Sequence, residues 1–198
     1  MMTGRWLPLA PAFAVLVLAS TCVRPAAAQI SGTFAFTGTI NCLETEGGFN
    51  SSFEPLSAPS FLTSSSTTGY GEFKRNGTGT VIGRGTSTYA PVPPGSFTTE
   101  SSSAAEYDFR GSFTYTVAGD GTITMALVPG SDLQTYTAGP RTGQTATQDV
   151  LTEYGFLSPD GKTLVIGTGT TYVETKTFSN GDVRQYVCHG AGTAVPQR

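Results

Sequence analysis

The sequence predicts an all-β protein: a single antiparallel up-and-down barrel of about eight strands, closed by pairing of its first and last strands. Three observations support this. Segments with a strict two-residue alternation of apolar and polar residues recur along the chain. Glycine-containing turn sequences separate them, and after the first 28 residues no segment has a convincing helical period. A low charged fraction (13%) with 25 glycines and many threonines also favours strands over disorder.

The first 28 residues are predicted to be a cleaved signal peptide. Arg5 precedes an apolar run from Leu7 to Ala19, and Ala26-Ala27-Ala28 provides a cleavage site of small residues. Residues 29–198 are then expected to form a single β-barrel domain that is secreted or periplasmic. This mature part contains no second long apolar run, so no membrane span is expected in it.

The charge balance restricts the class of partner. Without the predicted signal peptide the chain has nine basic and 14 acidic residues, a net charge of about −5. Nucleic acids and anionic membranes both require a basic patch, so neither is an expected partner. The sequence does not determine the oligomeric state.

The alternation is strongest from Ala104 to Val117, where one face carries Tyr107, Phe109, Phe113 and Tyr115. Side chains alternate across a strand, so this segment has one aromatic face and one polar face. Gly111 lies in the middle of the aromatic face, where so long a strand is expected to bend. The first strand, Ser31–Cys42, alternates in the same way.

The other elements follow in order. The predicted strands are Tyr70–Arg75 and Thr78–Tyr89, joined at Asn76-Gly77 by a type I′ turn, then Thr122–Val128, Val150–Leu157, Lys162–Gly167 with Thr170–Phe178 as one bent strand, and Val183–His189. Three long loops separate them: Leu43–Gly69, Ala90–Ser103 and Pro129–Thr147. The first loop either is functional or contains a short hidden element.

Two cysteines remain after the predicted cleavage, Cys42 and Cys188, near opposite ends of the mature chain. In an oxidising compartment the simplest interpretation is one disulfide. A barrel closed by its first and last strands would bring these two residues together, so the predicted disulfide and the predicted closure support each other. Cys22 leaves a lipoprotein open as a minor alternative.

With its signal peptide, disulfide and meander of strands, the chain resembles the calycin-like secreted β-barrels, which include lipocalins and avidin-like proteins. It is also similar to the allene oxide cyclase and dirigent barrels. The resemblance covers the mature chain at the level of architecture, and no family residue is transferred by it. It implies a barrel whose interior either binds a small molecule or shapes a reactive substrate.

The sequence offers little for catalysis. The only histidine, His189, has no identifiable partner, and neither a metal nor a cofactor is expected. Glu106 and Asp108 lie two residues apart on the polar face of their strand, where solvated carboxylates are the expected outcome. The same interpretation extends to three further glutamates: Glu72, Glu153 and Glu174. An enzyme is therefore the less favoured class.

The remaining candidate is the barrel interior. The residues predicted to form a ligand-binding wall are the inward aromatics of the two best-patterned strands: Phe34, Phe36, Tyr107, Phe109, Phe113 and Tyr115. A barrel of about eight strands is either filled by its own side chains or holds one small ligand. Three hypotheses result: binding of a small, partly apolar molecule, a packed structural or envelope protein without a ligand, and an isomerase or cyclase of the allene oxide cyclase or dirigent type.

Overall fold

A computed structural model describes residues 30–57, 59–92, 103–149 and 151–197. The predicted signal peptide (1–28), with Cys22, lies outside the described residues, as does most of the predicted second loop. The described residues form eleven strands and no helix: β1 (Gly32–Thr45), β2 (Ser60–Lys74), β3 (Thr78–Pro91), β4 (Ser103–Val117), β5 (Thr122–Leu127), β6 (Leu133–Ala138), β7 (Thr145–Gln148), β8 (Thr152–Leu157), β9 (Leu164–Gly167), β10 (Val173–Phe178) and β11 (Val183–Pro196). A membrane-spanning helix is not found among them.

The predicted fold class is confirmed. All strand pairs are antiparallel, and β1 pairs with both β2 and the last strand, β11, so the sheet closes into a barrel. Cys42 and Cys188 are directly opposed in the β1–β11 ladder and form the predicted disulfide, with their Cα atoms 4.1 Å apart. The first and last strands are therefore joined by backbone hydrogen bonds and by a covalent bond.

One wall of the barrel is divided into two halves. Five long strands, β1 to β4 and β11, run along the barrel, and six short strands complete the ring between β4 and β11. In one half, β5, β8 and β9 connect β4 to β11, and in the other half β6, β7 and β10 do so. Either path gives a ring of eight strands. The chain is not the simple meander predicted from the sequence, because it changes from one half to the other three times, between β5 and β6, between β7 and β8, and between β9 and β10.

The partner change occurs in the middle of β4. Residues 106–110 pair with β6, and residues 113–117 pair with β5, so Gly111 and Ser112 mark the boundary. Here the Ser131 hydroxyl makes the hydrogen bonds that a neighbouring strand would otherwise make with the backbone of Ser112. It accepts a hydrogen bond from Ser112 N and donates one to Ser112 O, both at 3.0 Å. A serine side chain thus satisfies the backbone where neither short strand reaches.

Several local predictions need correction. The hairpin at Asn76-Gly77 is present, but its loop has three residues and only Gly77 has a positive φ (80°). This geometry is that of a type I turn followed by a left-handed glycine, and the predicted type I′ turn is wrong. The predicted third loop contains β6 and β7, and the predicted bent strand is two strands, β9 and β10, that pair with different parts of β11. The first loop is shorter than predicted, because β1 and β2 extend into it.

The two ends of the barrel differ. Short turns join strands at one end, and a buried cluster fills it with Ile30, Phe34, Phe73, Phe113, Tyr115, Ile123, Met125, Leu164 and Ala194. The other end receives the β1–β2, β3–β4, β6–β7 and β10–β11 connections and contains a smaller cluster of Ala105, Tyr107, Tyr136, Ala146 and Phe178. The candidate site lies between these two clusters.

Candidate functional site

A cavity of about 260 Å³ lies inside the barrel. Its wall includes residues of every long strand and of both halves of the divided wall. Small-molecule pockets usually measure about 300–1,000 Å³, so this cavity is slightly smaller than that range. The interior of this barrel is therefore not completely filled by its own side chains.

Five of the six residues predicted to line the interior do border this cavity: Phe34, Phe36, Tyr107, Phe109 and Phe113. They contact one another in part, with ring centroids 6.1 Å apart for Phe36 and Phe109 and 6.2 Å apart for Tyr107 and Phe109. Tyr115 does not border the cavity. It is buried in the apolar end cluster, where its ring centroid lies 5.2 Å from that of Phe73.

Glycines on β3 give the aromatic residues of β4 their positions. Gly83 is directly opposite Phe109, and Gly85 is directly opposite Tyr107. A side chain at either glycine would collide with the ring opposite it. The missing side chains therefore let both rings approach the backbone of the neighbouring strand closely.

The Tyr115 hydroxyl has a structural role. It lies 2.6 Å from Ile30 O and 2.7 Å from Lys74 O, and so connects β4 to the start of the described chain and to the end of β2. Replacing Tyr115 with phenylalanine should lower the free energy of unfolding by about 1–2 kcal/mol, because the hydroxyl that donates to these carbonyls, of which that of Ile30 is buried, is lost. Urea denaturation tests this, with Tyr70→Phe on the exposed outer face of β2 as the control. Equal stability of the two variants would contradict the assignment.

Two carboxylates predicted to be solvated face inward instead. Glu153 and Glu174 both border the cavity, and burial raises the pKa of each to about 7. For Glu174 the neighbouring Glu153 adds to this rise in pKa, whereas Lys176 opposes it. The prediction that these two glutamates lie on a solvated face is therefore wrong. On β8 the bulky residues Tyr154 and Phe156 point outward, and this alternation turns Glu153 toward the interior.

The inward carboxylates differ in their partners. Gln148 Nε2 donates a hydrogen bond to Glu174 Oε2 at 2.7 Å. Asp132 accepts a longer bond, 3.4 Å, from Gln134 Nε2, and burial raises the pKa of this aspartate. Glu153 has no hydrogen-bond or ion-pair partner among the residues that the structure describes.

Lys176 is the one ammonium group on the cavity wall within the described part of the chain. It donates a hydrogen bond to Gln134 Oε1 at 3.0 Å, and its Nζ atom lies 4.9 Å from the centroid of the Tyr186 ring. The side-chain amide of Gln134 therefore connects the ammonium group of Lys176 to the carboxylate of Asp132.

A separate charged network lies toward the end of the barrel that receives the β1–β2, β3–β4, β6–β7 and β10–β11 connections. Glu44 is almost fully buried, with Arg141 and Arg184 nitrogens 3.6 and 3.7 Å from its Oε1 atom. Burial raises the pKa of Glu44, and the two arginines oppose that rise. Arg141 also stacks on Phe178, 3.7 Å from the ring centroid, so the β6–β7 turn is fixed across this end of the barrel.

The other candidates for chemistry lie outside the cavity. His189 is exposed on the outer face of β11, and Glu106 is exposed on β4. Asp108, also on the outer face, accepts a hydrogen bond from Arg84 Nε at 2.9 Å. The expected solvated position of Glu106 and Asp108 is confirmed. Across the described ranges no cluster of histidine, cysteine, aspartate and glutamate is suited to bind a metal ion.

Sequence reasoning missed most of the polar wall. The additional residues that border the cavity include Tyr89, Asp132, Gln134, Tyr136, Gln148, Glu153, Glu174, Lys176 and Tyr186. Three of them, Asp132, Gln134 and Tyr136, lie in or beside β6, within the segment Pro129–Thr147 that was predicted to be a loop. The alternation Glu174, Lys176, Phe178 on β10, preceded by Tyr172, was the available signal, because its last residue is a buried phenylalanine.

No protein-family model matches the chain, and none of the curated proteins matches it significantly.

Proposed function

We propose that the protein is a secreted or periplasmic, non-enzymatic barrel that binds one small, partly apolar molecule in its interior. The observation that supports this proposal is the cavity of about 260 Å³, which is bordered both by aromatic rings and by ionisable side chains. Ligand sites combine these features: apolar walls supply binding energy, and a few polar groups determine orientation. Secretion follows from the predicted signal peptide and is compatible with the Cys42–Cys188 disulfide.

The packed structural protein is the weaker alternative. A barrel without a ligand is expected to fill its interior with side chains, as the apolar end cluster does around Phe73 and Phe113. Close packing does not continue through the middle of this barrel, where charged and polar side chains face a common space. Those groups carry a desolvation cost that a purely structural core has no reason to retain.

An isomerase or cyclase of the allene oxide cyclase or dirigent type is a second candidate. Such an activity requires an ionisable group beside the cavity, and Glu153 and Glu174 meet this requirement. A carboxyl with a pKa of about 7 is suited to proton transfer near neutral pH. This candidate uses the same cavity, and turnover of a bound molecule would distinguish it from simple binding.

Native mass spectrometry of the protein purified from its own source tests the proposal. The wild-type chain should retain one small molecule. Thr67→Phe, which places a ring in the cavity, should lose it, because Thr67 borders that space. Ser66→Phe is the matched control, since Ser66 is exposed on the outer face of the same strand. A wild-type protein that shows only its bare mass, or equal retention by both variants, would contradict interior binding.

A further inference from the structure

The described wall of the cavity has an excess of acidic groups. Asp132, Glu153 and Glu174 border it, against the single ammonium of Lys176. Four charged residues outside the cavity wall form ion pairs among themselves: Glu44 with Arg141 and Arg184, and Glu46 with Arg184. With its carboxylates ionised, the cavity therefore carries a net negative charge that the surrounding protein does not neutralise.

Glu153 differs from the other two carboxylates because nothing in the described chain bonds to it. Gln148 donates to Glu174, and Gln134 donates to Asp132. The Glu153 side chain is half-buried and borders the cavity, and a carboxylate enclosed there without a donor from the protein is costly. Burial alone raises the pKa of Glu153 to about 7, which reflects this cost. A positively charged donor from a ligand would satisfy the carboxylate and recover that free energy.

The aromatic wall is compatible with the same kind of ligand. Phe36 and Phe109 border the cavity, and their centroids are 6.1 Å apart. Aromatic faces carry negative electrostatic potential, so they attract organic cations as well as apolar groups. An alkyl or aryl ammonium ion would find both an apolar surface and an attractive field along this side.

We propose that the cavity selects a small amphiphilic amine, whose ammonium group binds the Glu153 carboxylate while its apolar body lies against Phe36, Phe109 and their neighbours. This inference rests on the proposed function, because it assumes that the cavity takes a ligand, and it adds the chemical class. The small volume limits the ligand to a molecule smaller than most drugs. Lys176 remains bonded to Gln134 and does not compete for Glu153.

Binding of an amine should depend on pH. The titratable groups that share the cavity with Glu153 are Tyr89, Tyr107, Asp132, Tyr136, Glu174, Lys176 and Tyr186, with Tyr172 beside β8. Burial raises the pKa of Tyr89 and Tyr186 above their ordinary value and that of Tyr136 to about 12, so these phenols stay neutral. Glu153 and Glu174, each with a pKa of about 7, change charge between pH 5 and 9, whereas an ammonium group with a pKa near 10 stays protonated across that range.

Isothermal titration calorimetry with three probes of one length tests the inference: n-hexylamine, n-hexanol and hexanoate. At pH 8.5, hexylamine should bind at least about tenfold more tightly than hexanol, because a charge-assisted hydrogen bond adds to the same apolar contact. Hexanoate should bind most weakly. At pH 5.5, where Glu153 is protonated, the advantage of the amine should disappear.

Glu153→Gln should reduce hexylamine affinity to the level of hexanol, whereas Glu72→Gln, on the exposed outer face of β2, should leave the preference intact. Equal binding of hexylamine and hexanol by the wild type would overturn the amine class and leave interior binding standing. Retention of the preference by Glu153→Gln would overturn the role of this carboxylate. Failure of all three probes to bind at millimolar concentration would overturn both proposals.

Discussion

Replacing Cys42 and Cys188 together with alanine is expected to lower the free energy of unfolding by roughly 5 kcal/mol. The disulfide closes a loop with a sequence separation of 146 residues, and the chain-entropy estimate for loops of this size is about 4–5 kcal/mol. The bond also connects the two strands whose pairing closes the barrel, so its loss removes the covalent restraint where the ring is completed. Urea denaturation at neutral pH would measure the change.

The wild-type protein in excess reductant is the matched control for this experiment. It should unfold at nearly the same urea concentration as the double alanine variant, since both lack only the covalent bond. A difference of less than about 1 kcal/mol between the oxidised wild type and the variant would mean that the β1–β11 closure does not depend on the disulfide.

Replacing Glu153 with glutamine is expected to stabilise the protein at alkaline pH by about 3–4 kcal/mol and to have little effect at pH 4.5. The pKa of Glu153 is about 7 in the folded protein, against 4.5 as its ordinary value. Between these values the folded state holds a proton that the unfolded state has released, so stability is greatest below pH 4.5 and falls as pH rises through 7. Each unit of pKa difference corresponds to about 1.4 kcal/mol.

Thermal or urea denaturation of both proteins between pH 4.5 and 8.5 provides the measurement. The two stability curves should coincide at the acidic end and separate through pH 7, with the glutamine variant above the wild type. Glu72→Gln, whose side chain is exposed, should give no such separation. Parallel curves for Glu153→Gln and the wild type would show that Glu153 is not desolvated.

The strands β1, β3 and β4 and the closure of the barrel were predictable because the two faces of β1 and β4 differ, whereas the first part of β2 and the last part of β11 were not predicted as strand. On β4 the buried positions include Tyr107, Phe113 and Tyr115, and the intervening positions are polar, so the two-residue period shows directly which side faces inward. The same is true of β1 between Phe34 and Cys42. Both cysteines belong to strands with this pattern, and their pairing therefore followed from the predicted closure.

The divided wall could not be predicted, because its strands are too short to show a period. β7 and β9 have four residues each, and β6 lies in a segment rich in threonine, glycine and proline that is typical of a loop. Their identity as strands depends on pairing with residues distant in sequence, such as β6 with residues 106–110 of β4. Local patterns do not report such pairing.

The acidic side of the cavity was missed for a different reason. Sequence patterning assumes that charged residues face solvent and bulky apolar residues face the core. On β8 the reverse holds: Glu153 faces the interior, and Phe156 is 63% exposed. Inversions of this kind carry a free-energy cost, and they are expected at functional sites, where binding compensates for it.

A carbon-13 NMR titration of the Glu153 side-chain carboxyl, with and without n-hexylamine, tests amine binding in the cavity at the carboxylate itself. The midpoint is expected near pH 7 for the free protein and at a lower pH when the amine is present, because the ammonium group favours the ionised carboxylate. A midpoint near 4.5 that does not move on addition of the amine would contradict both the buried position of this carboxylate and its role in binding.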